Sequence, residues 1–281
     1  MNAATSAVDR DPLAEFIRHG RPAGPWLPSL ITPATTSRSK AKLKVALHVH
    51  AYYPEMVDCV LSALRTNTSP IDILVSVVNE HDRETLELKF AGYDRGSVDI
   101  RVVPNKGRDL GPFLTAFGEQ ILNNYDIVGH FHTKRSPHTQ PEFVKIWVDF
   151  LLVHLLGDDS IPMADRILGA MADNKQIGIV FPDDPNISTW GPNLIHAKEL
   201  AKKLGIDELP NSIIFPLGSM FWARVDAIAP LLSIGLTWDD YPLEPVPADG
   251  TMLHAMERII PLVVLKTGYT IVLSHVPGVV R

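Results

Sequence analysis

A single cysteine, Cys59, stands in the whole of this 281-residue chain. A lone thiol excludes an intrachain disulfide and a cysteine-based zinc site, and it fits a reducing compartment, with the cytoplasm as the default. A basic excess is missing too. The formal charge is −6 and no long basic block occurs, so neutralising a nucleic-acid backbone is not the expected task. Long apolar runs are absent: residues 150–156 and 259–265 fall far short of the roughly 20 residues a membrane span needs, and residues 1–40 lack the uninterrupted apolar segment of a signal peptide. The expectation is a soluble chain with no transmembrane segment that is still able to touch a membrane surface. No internal repeat is visible.

What is present is enough apolar content for one large α/β domain. Residues 1–42 are rich in Pro, Ala, Ser and Thr, with a short amphipathic stretch at 13–17 and an apolar patch at 26–31, and read as a tail-like arm able to dock. From Leu43 the pattern changes. Strands are expected at 44–49, 71–78, 98–103 and 127–131, separated by helices at 54–64, 83–90 and 112–122. Such alternation with short connections is the signature of a doubly wound parallel sheet. The rest of the single domain, 43–281, reads as helices at 147–156, 163–172, 197–204, 224–232 and 251–260, with strands at 178–181, 218–223 and 270–273.

Three expected strand ends carry polar clusters where an open α/β sheet places its ligand crevice, outside the carboxyl ends of the parallel strands. His48-Val49-His50 closes the first strand and leads into Tyr52-Tyr53-Pro54. Asn105-Lys106-Gly107-Arg108-Asp109 follows the third, and His130-Phe131-His132-Thr133-Lys134-Arg135-Ser136 the fourth. Side chains two apart share a strand face, so each His-x-His pair points one way. The 105–109 run sets a flexible glycine between two cations and ends on a carboxylate: either a cradle for an anionic group or a plain turn with Asp109 as a helix cap. The 130–136 run concentrates hydrogen-bond donors. Farther on, Gly218-Ser219-Met220-Phe221-Trp222 suits a wall on which a base or sugar ring stacks, with ordinary core packing as the alternative. Asp249-Gly250-Thr251 opens a helix that continues through His254, Glu257 and Arg258 as a polar stripe. Asp249 reads either as a helix cap or as a general base one short loop from the crevice.

In the order YYP, NKGRDLGPF, GHFHTKRSPH, GSMFWAR, DGTMLHAMER, these motifs resemble the rhamnan synthesis protein F family of bacterial cell-surface polysaccharide glycosyltransferases, over residues from about 43 to 270. The resemblance implies a nucleotide-sugar-dependent transferase with a fold similar to the GT-A class: a Rossmann-like, mostly parallel α/β sheet flanked by helices, with residues 43–136 binding the donor and 137–281 the acceptor. It implies donor contacts from His48, His50, Tyr52, Asn105, Arg108, Asp109, His130, His132 and Lys134, and acceptor contacts from Ser219, Trp222, His254 and Arg258. Asp249 is the implied base that deprotonates the acceptor hydroxyl in one inverting displacement, with Glu244 and Glu257 in reserve. Rhamnose from a dTDP- or GDP-linked donor is the sugar the resemblance favours, with galactofuranose and others open. The implied acceptor is a growing glycan on a lipid carrier, as in lipopolysaccharide O-antigen, which places the work in the cytoplasm at the inner membrane face, beside other polysaccharide-assembly enzymes.

The chain departs from the GT-A pattern at one point. Such enzymes generally carry an Asp-x-Asp after the fourth strand, holding a divalent ion against the donor diphosphate. Here His130-Phe131-His132 stands in that place, and hard Mg²⁺ prefers oxygen ligands. The expectation is therefore no tightly bound cofactor, with Lys134, Arg108 and the histidines offsetting the diphosphate; a borderline metal on the histidines stays open. Two other classes also stay open. One is a non-catalytic glycan-binding domain on a transferase scaffold. The other is a hydrolase whose His-x-His pairs ligate a water-activating metal, which needs the two strands to be neighbours and a carboxylate to complete the shell.

Overall fold

The computed structural model describes residues 29–39, 41–133, 141–184, 189–211 and 213–281. Among them, eight strands form one sheet: β1 Ser29–Ile31, β2 Val45–His50, β3 Asp72–Val77, β4 Val98–Val102, β5 Ile127–His132, β6 Ile177–Pro182, β7 Phe221–Arg224 and β8 Thr270–Ser274. Their order is β1-β8-β6-β7-β5-β2-β3-β4. All neighbours are parallel except β7, which runs antiparallel to both β5 and β6. The helices are α1 Val57–Leu64, α2 Glu80–Phe90, α3 Gly118–Asn124, α4 Pro141–Leu155, α5 Met163–Asp173, α6 Leu194–Leu204, α7 Val225–Leu232 and α8 Met252–Lys266. This is the expected α/β architecture, a mostly parallel sheet flanked by helices.

Strands covered on both faces need apolar side chains at every position, and that is why β2 and β3 read as continuous runs. Leu47, Val49, Ile73, Val75 and Phe131 face one core together with Leu64, Leu151 and Ile167. Ala46, Leu74 and Val128 face the other, with Phe113, Phe117, Leu200, Ile228 and Ile259. Strand alternation puts His48, His50, Ser76, His130 and His132 on this second face, in positions where an apolar residue would ordinarily sit. The chain winds outward through β3 and β4, then resumes on the other side of β2 with β5. The point of reversal lies between β2 and β5, and an open α/β sheet opens its crevice at the carboxyl ends of such a pair.

Four local expectations are corrected. Ser29–Ile31 is not loose arm: it pairs in parallel with β8, Leu30 opposite Leu273, and buries Ile31. Residues 1–28 lie outside the described residues. The strand expected from 218 begins at Phe221, because Gly218 and Ser219 both adopt positive φ, 94° and 59°, which no strand accommodates. The expected 112–122 helix is a π-turn over Pro112–Ala116 followed by α3, and the Phe117 amide donates to the Pro112 carbonyl. That turn sets Phe113 and Phe117 against the histidines. Finally, α8 continues through Pro261 to Lys266, since burial of Ile259, Ile260, Val263 and Val264 offsets the roughly 3 kcal/mol that an interior proline costs.

Candidate functional site

The register places His48 opposite His130 and His50 opposite His132, so the two His-x-His pairs are direct neighbours. Their nitrogens bond to one another, to the side chains of Asp109 and Ser76, and to two backbone carbonyls. Asp109 Oδ2 lies 3.1 Å from His130 Nε2, and His130 Nδ1 lies 3.0 Å from His48 Nδ1. His48 Nε2 is 3.2 Å from Ser76 Oγ, which is 2.9 Å from His50 Nδ1. His132 turns toward β7 instead: Nε2 is 2.8 Å from the Gly218 carbonyl and Nδ1 is 3.3 Å from the Thr133 carbonyl.

Burial lowers the pKa of His48 well below the ordinary histidine value, and neighbouring His130 and His50 push the same way. It lowers His50 to about 4 against the pull of Asp109. It lowers His130 despite the hydrogen bond to Asp109. Burial alone would raise the Asp109 carboxyl, but His132 and the bond from His130 outweigh it and hold Asp109 below the usual carboxylate range. At neutral pH the row is therefore three neutral imidazoles ending on one carboxylate. Neutral rings do not offset a diphosphate, so the expected charge role of His48, His50 and His130 is corrected. His48 and His130 are also fully buried, which leaves neither open to a ligand, and His50 is 5% exposed.

A second group gathers around Arg108, a non-glycine residue held at φ 50°. Its NH2 donates to the carbonyls of Val246 at 2.9 Å and Pro247 at 3.0 Å, and its NH1 donates to His254 Nε2 at 3.2 Å. His254 Nδ1 is 2.8 Å from Thr251 Oγ1. Burial first, then Arg108, lowers the His254 pKa, while Asp249 and Asp109 both pull it up, so His254 lies within range of both carboxylates. Gly107 carries φ 73°, and a Cβ there would meet Gly111 Cα at 2.7 Å and the Tyr241 ring at 2.9 Å, which fixes glycine at the centre of the 105–109 turn. Asn105 is exposed on its rim.

Asp249 is not the helix cap; Thr251 holds the N-cap position of α8. Its carboxylate accepts from Asn193 Nδ2 at 2.8 Å and lies 3.7 Å from Arg258, with the side chain 47% exposed. Partial burial would raise its pKa, but the bonds from Asn193 and the Gly250 amide, with Arg258 beside it, lower it. Asn193 is fully buried, and its Oδ1 accepts from the amides of Gly250 at 2.9 Å and Thr251 at 3.2 Å. Asn193→Ala should unpair that turn and destabilise the protein by ~1–3 kcal/mol, read as a lower denaturant midpoint. An unchanged midpoint would mean the turn finds other partners.

The remaining expected site residues divide. Tyr52 is 41% exposed beside His50. Glu244 is exposed, and its Oε2 accepts from the Val246 amide at 2.9 Å. Glu257 is buried, with Oε1 accepting from the Gly218 amide at 2.7 Å and the Ser219 amide at 3.1 Å; it holds the left-handed turn rather than facing a hydroxyl. Ser219 is buried in that turn. Arg258 braces the Asp249 loop, donating to the Thr189 carbonyl and stacking 4.9 Å over Phe215. Trp222 is corrected outright. It is fully buried on the opposite face, donating to the Leu155 carbonyl at 2.9 Å, and no ring face is open for stacking. Phe221 faces the histidines instead. Lys134 lies outside the described residues.

Two site residues were not anticipated. Ser76 had a signal, since it interrupts the otherwise apolar run 73–78. Asn193, in the turn before α6, had none. A cavity of about 870 Å³ lies along α6 between Trp190, Lys198, Lys202 and Pro210, away from the histidine row. Polar groups converge instead at the strand ends, and volume alone supplies no reactive group. Among the described residues no three His, Cys, Asp or Glu side chains converge as a metal would require. The His-x-His strands are neighbours, yet three of the four rings spend nitrogens on one another and on Ser76.

A mostly parallel α/β sheet with polar side chains gathered at its strand ends is the class that fold and site define. Residues 15–269 match the rhamnan synthesis protein F family, and the chain belongs to that family. The match extends into the arm, well before the expected start near residue 43. Two relatives named "Uncharacterized protein WxcX", from Xanthomonas campestris pv. campestris strains B100 and ATCC 33913, are each 29% identical over 227 residues. That stretch is 79% of this chain and 32% of theirs, so it spans about a third of their length. Among solved structures, residues 1–349 of S. aureus TarS align at TM-score 0.36 and 12% identity over 83% of this chain and 58% of that one, a likeness too loose to carry an argument.

Proposed function

We propose that this chain transfers a sugar from a nucleotide-sugar donor to a growing cell-surface glycan. Membership of a rhamnan synthesis family supports polysaccharide assembly as the setting and rhamnose as the sugar. The observation that carries the chemistry is Asp249: an accessible carboxylate, held ionised, clamped by a buried amide and within range of the Arg108–His254 pair. An ionised, fixed carboxylate is what a general base needs. Asp249 takes the acceptor hydroxyl proton, the freed oxygen attacks the anomeric carbon from the side opposite the leaving nucleotide diphosphate, and the configuration inverts. Glu244 is the reserve base, because the two amides already engage Glu257.

The donor lies at the carboxyl ends of β2 and β5, in a GT-A-like arrangement. Arg108, with Lys134, supplies positive charge for the diphosphate, and no divalent ion is required. The acceptor is a lipid-linked glycan approached from the cytoplasmic face of the membrane, by a chain in which no described helix is long and apolar enough to cross one. Calorimetric titration with dTDP-rhamnose, GDP-rhamnose and other nucleotide sugars tests this. One of them should bind, with affinity little changed by a chelator. Binding that vanishes on chelation and returns with Mg²⁺ or Mn²⁺ overturns the metal-free reading, and failure of every nucleotide sugar to bind overturns transfer itself.

A further inference from the structure

The hydrogen bonds of the histidine row admit one consistent polarity. A carboxylate only accepts, so His130 Nε2 carries the proton in its bond to Asp109. A neutral His130 then has a bare Nδ1, and the 3.0 Å contact there requires the proton to sit on His48 Nδ1. His48 is left with a bare Nε2, which accepts from the Ser76 hydroxyl at 3.2 Å. Having donated there, Ser76 Oγ accepts from His50 Nδ1 at 2.9 Å. His50 ends with a bare Nε2. Among the described residues no hydrogen bond reaches that atom, and the residue is 5% exposed beside Tyr52.

We propose that Asp109, His130, His48, Ser76 and His50 form one directional relay that fixes His50 Nε2 as a hydrogen-bond acceptor at the crevice, where it receives an O–H or N–H of the donor's sugar or nucleoside and disfavours phosphate oxygens. The proposal rests on the donor-binding reading above and deepens it. A lone pair facing the crevice repels a phosphate oxygen and attracts a hydroxyl, so His50 reads the uncharged part of the ligand while Arg108 answers the charged part. The relay matters because a free histidine favours the proton on Nε2. Ser76 holds it on Nδ1, and the chain of bonds anchors that choice on the buried carboxylate, as an orienting acid fixes the tautomer of a catalytic histidine. His50 is a positioning and specificity group here and takes no proton from the ligand.

Histidine tautomers read by ¹⁵N NMR on the wild-type protein at pH 7.5 test the polarity without any variant or activity. His48 and His50 should carry the proton on Nδ1 and His130 on Nε2; a proton on His50 Nε2 overturns the relay. Ser76→Ala cuts the link that orients His50. Loss of one such bond should weaken binding of the dTDP- or GDP-rhamnose that the wild type binds by roughly three- to tenfold, leaving affinity for inorganic pyrophosphate unchanged. An equal loss for pyrophosphate, or no loss for the nucleotide sugar, overturns the role given to His50. A wild type that binds no nucleotide sugar overturns the donor reading and with it the ligand assigned here, while the tautomers judge the relay on their own.

Discussion

Asp249→Asn is expected to lower turnover by about two to four orders of magnitude while leaving donor affinity and folding nearly intact, the range general-base catalysis typically contributes. The separation is unusually clean at this position. Asn193 donates to Asp249 Oδ1, and an asparagine at 249 still offers a carbonyl oxygen to it, so the clamp survives. Thr251, not residue 249, caps α8, so no capping loss confuses the result. What the substitution removes is a basic oxygen and a negative charge beside Arg258. Transfer rate, nucleotide-sugar affinity and melting temperature measured on the same variant give the answer. A stable variant with near-normal transfer removes Asp249 from the mechanism and passes the role to Glu244.

The second large effect is a steep loss of stability in mild acid. His50 is buried with its pKa lowered to about 4, against about 6.5 in the unfolded chain. Between those values the unfolded chain binds a proton that the folded one refuses. The stability from keeping the ring neutral is therefore complete above pH 6.5 and is lost as pH falls toward 4. At about 1.4 kcal/mol per pH unit, His50 alone accounts for roughly 3 kcal/mol over that window. His48, His130 and His154, each lowered chiefly by burial, act in the same direction. Asp109 has the opposite chemistry and the same outcome one window lower: its depressed pKa contributes stability that is present above about 3.8 and goes as pH falls through the folded value. Melting temperature followed from pH 8 to pH 4 should be high and level above 6.5, then drop sharply. A level curve down to pH 4.5 would mean the histidines are not held neutral in the fold.

Much of the frame is legible in the sequence. The β-branched runs around Val45, Ile73 and Ile127, broken by short helices, specify parallel strands in a covered sheet because periodicity and turn chemistry act over a few residues. The same local logic placed His50, Asp109 and His132 at one edge of the sheet and put each His-x-His pair on a single face. It read Gly218 and Ser219 as strand, because only the contact of their amides with Glu257, thirty-eight or more residues away, stabilises the left-handed turn. It offered Trp222 for stacking and passed over Phe221, although Phe221 is the one on the face of the histidines.

The sequence by itself determined the class of fold and the edge on which polar groups collect, since both follow from the pattern of side chains along short segments, whereas the antiparallel run of β7 came only with the sheet. Only the tertiary structure decided that His48 meets His130 across 82 residues, that Ser76 lies between two histidines, that buried Asn193 holds Asp249, and that Trp222 serves the core. Those pairings depend on strand order and on which groups remain unsatisfied once the sheet closes, and burial lets an imidazole stay neutral only after the chain has brought its partners into place.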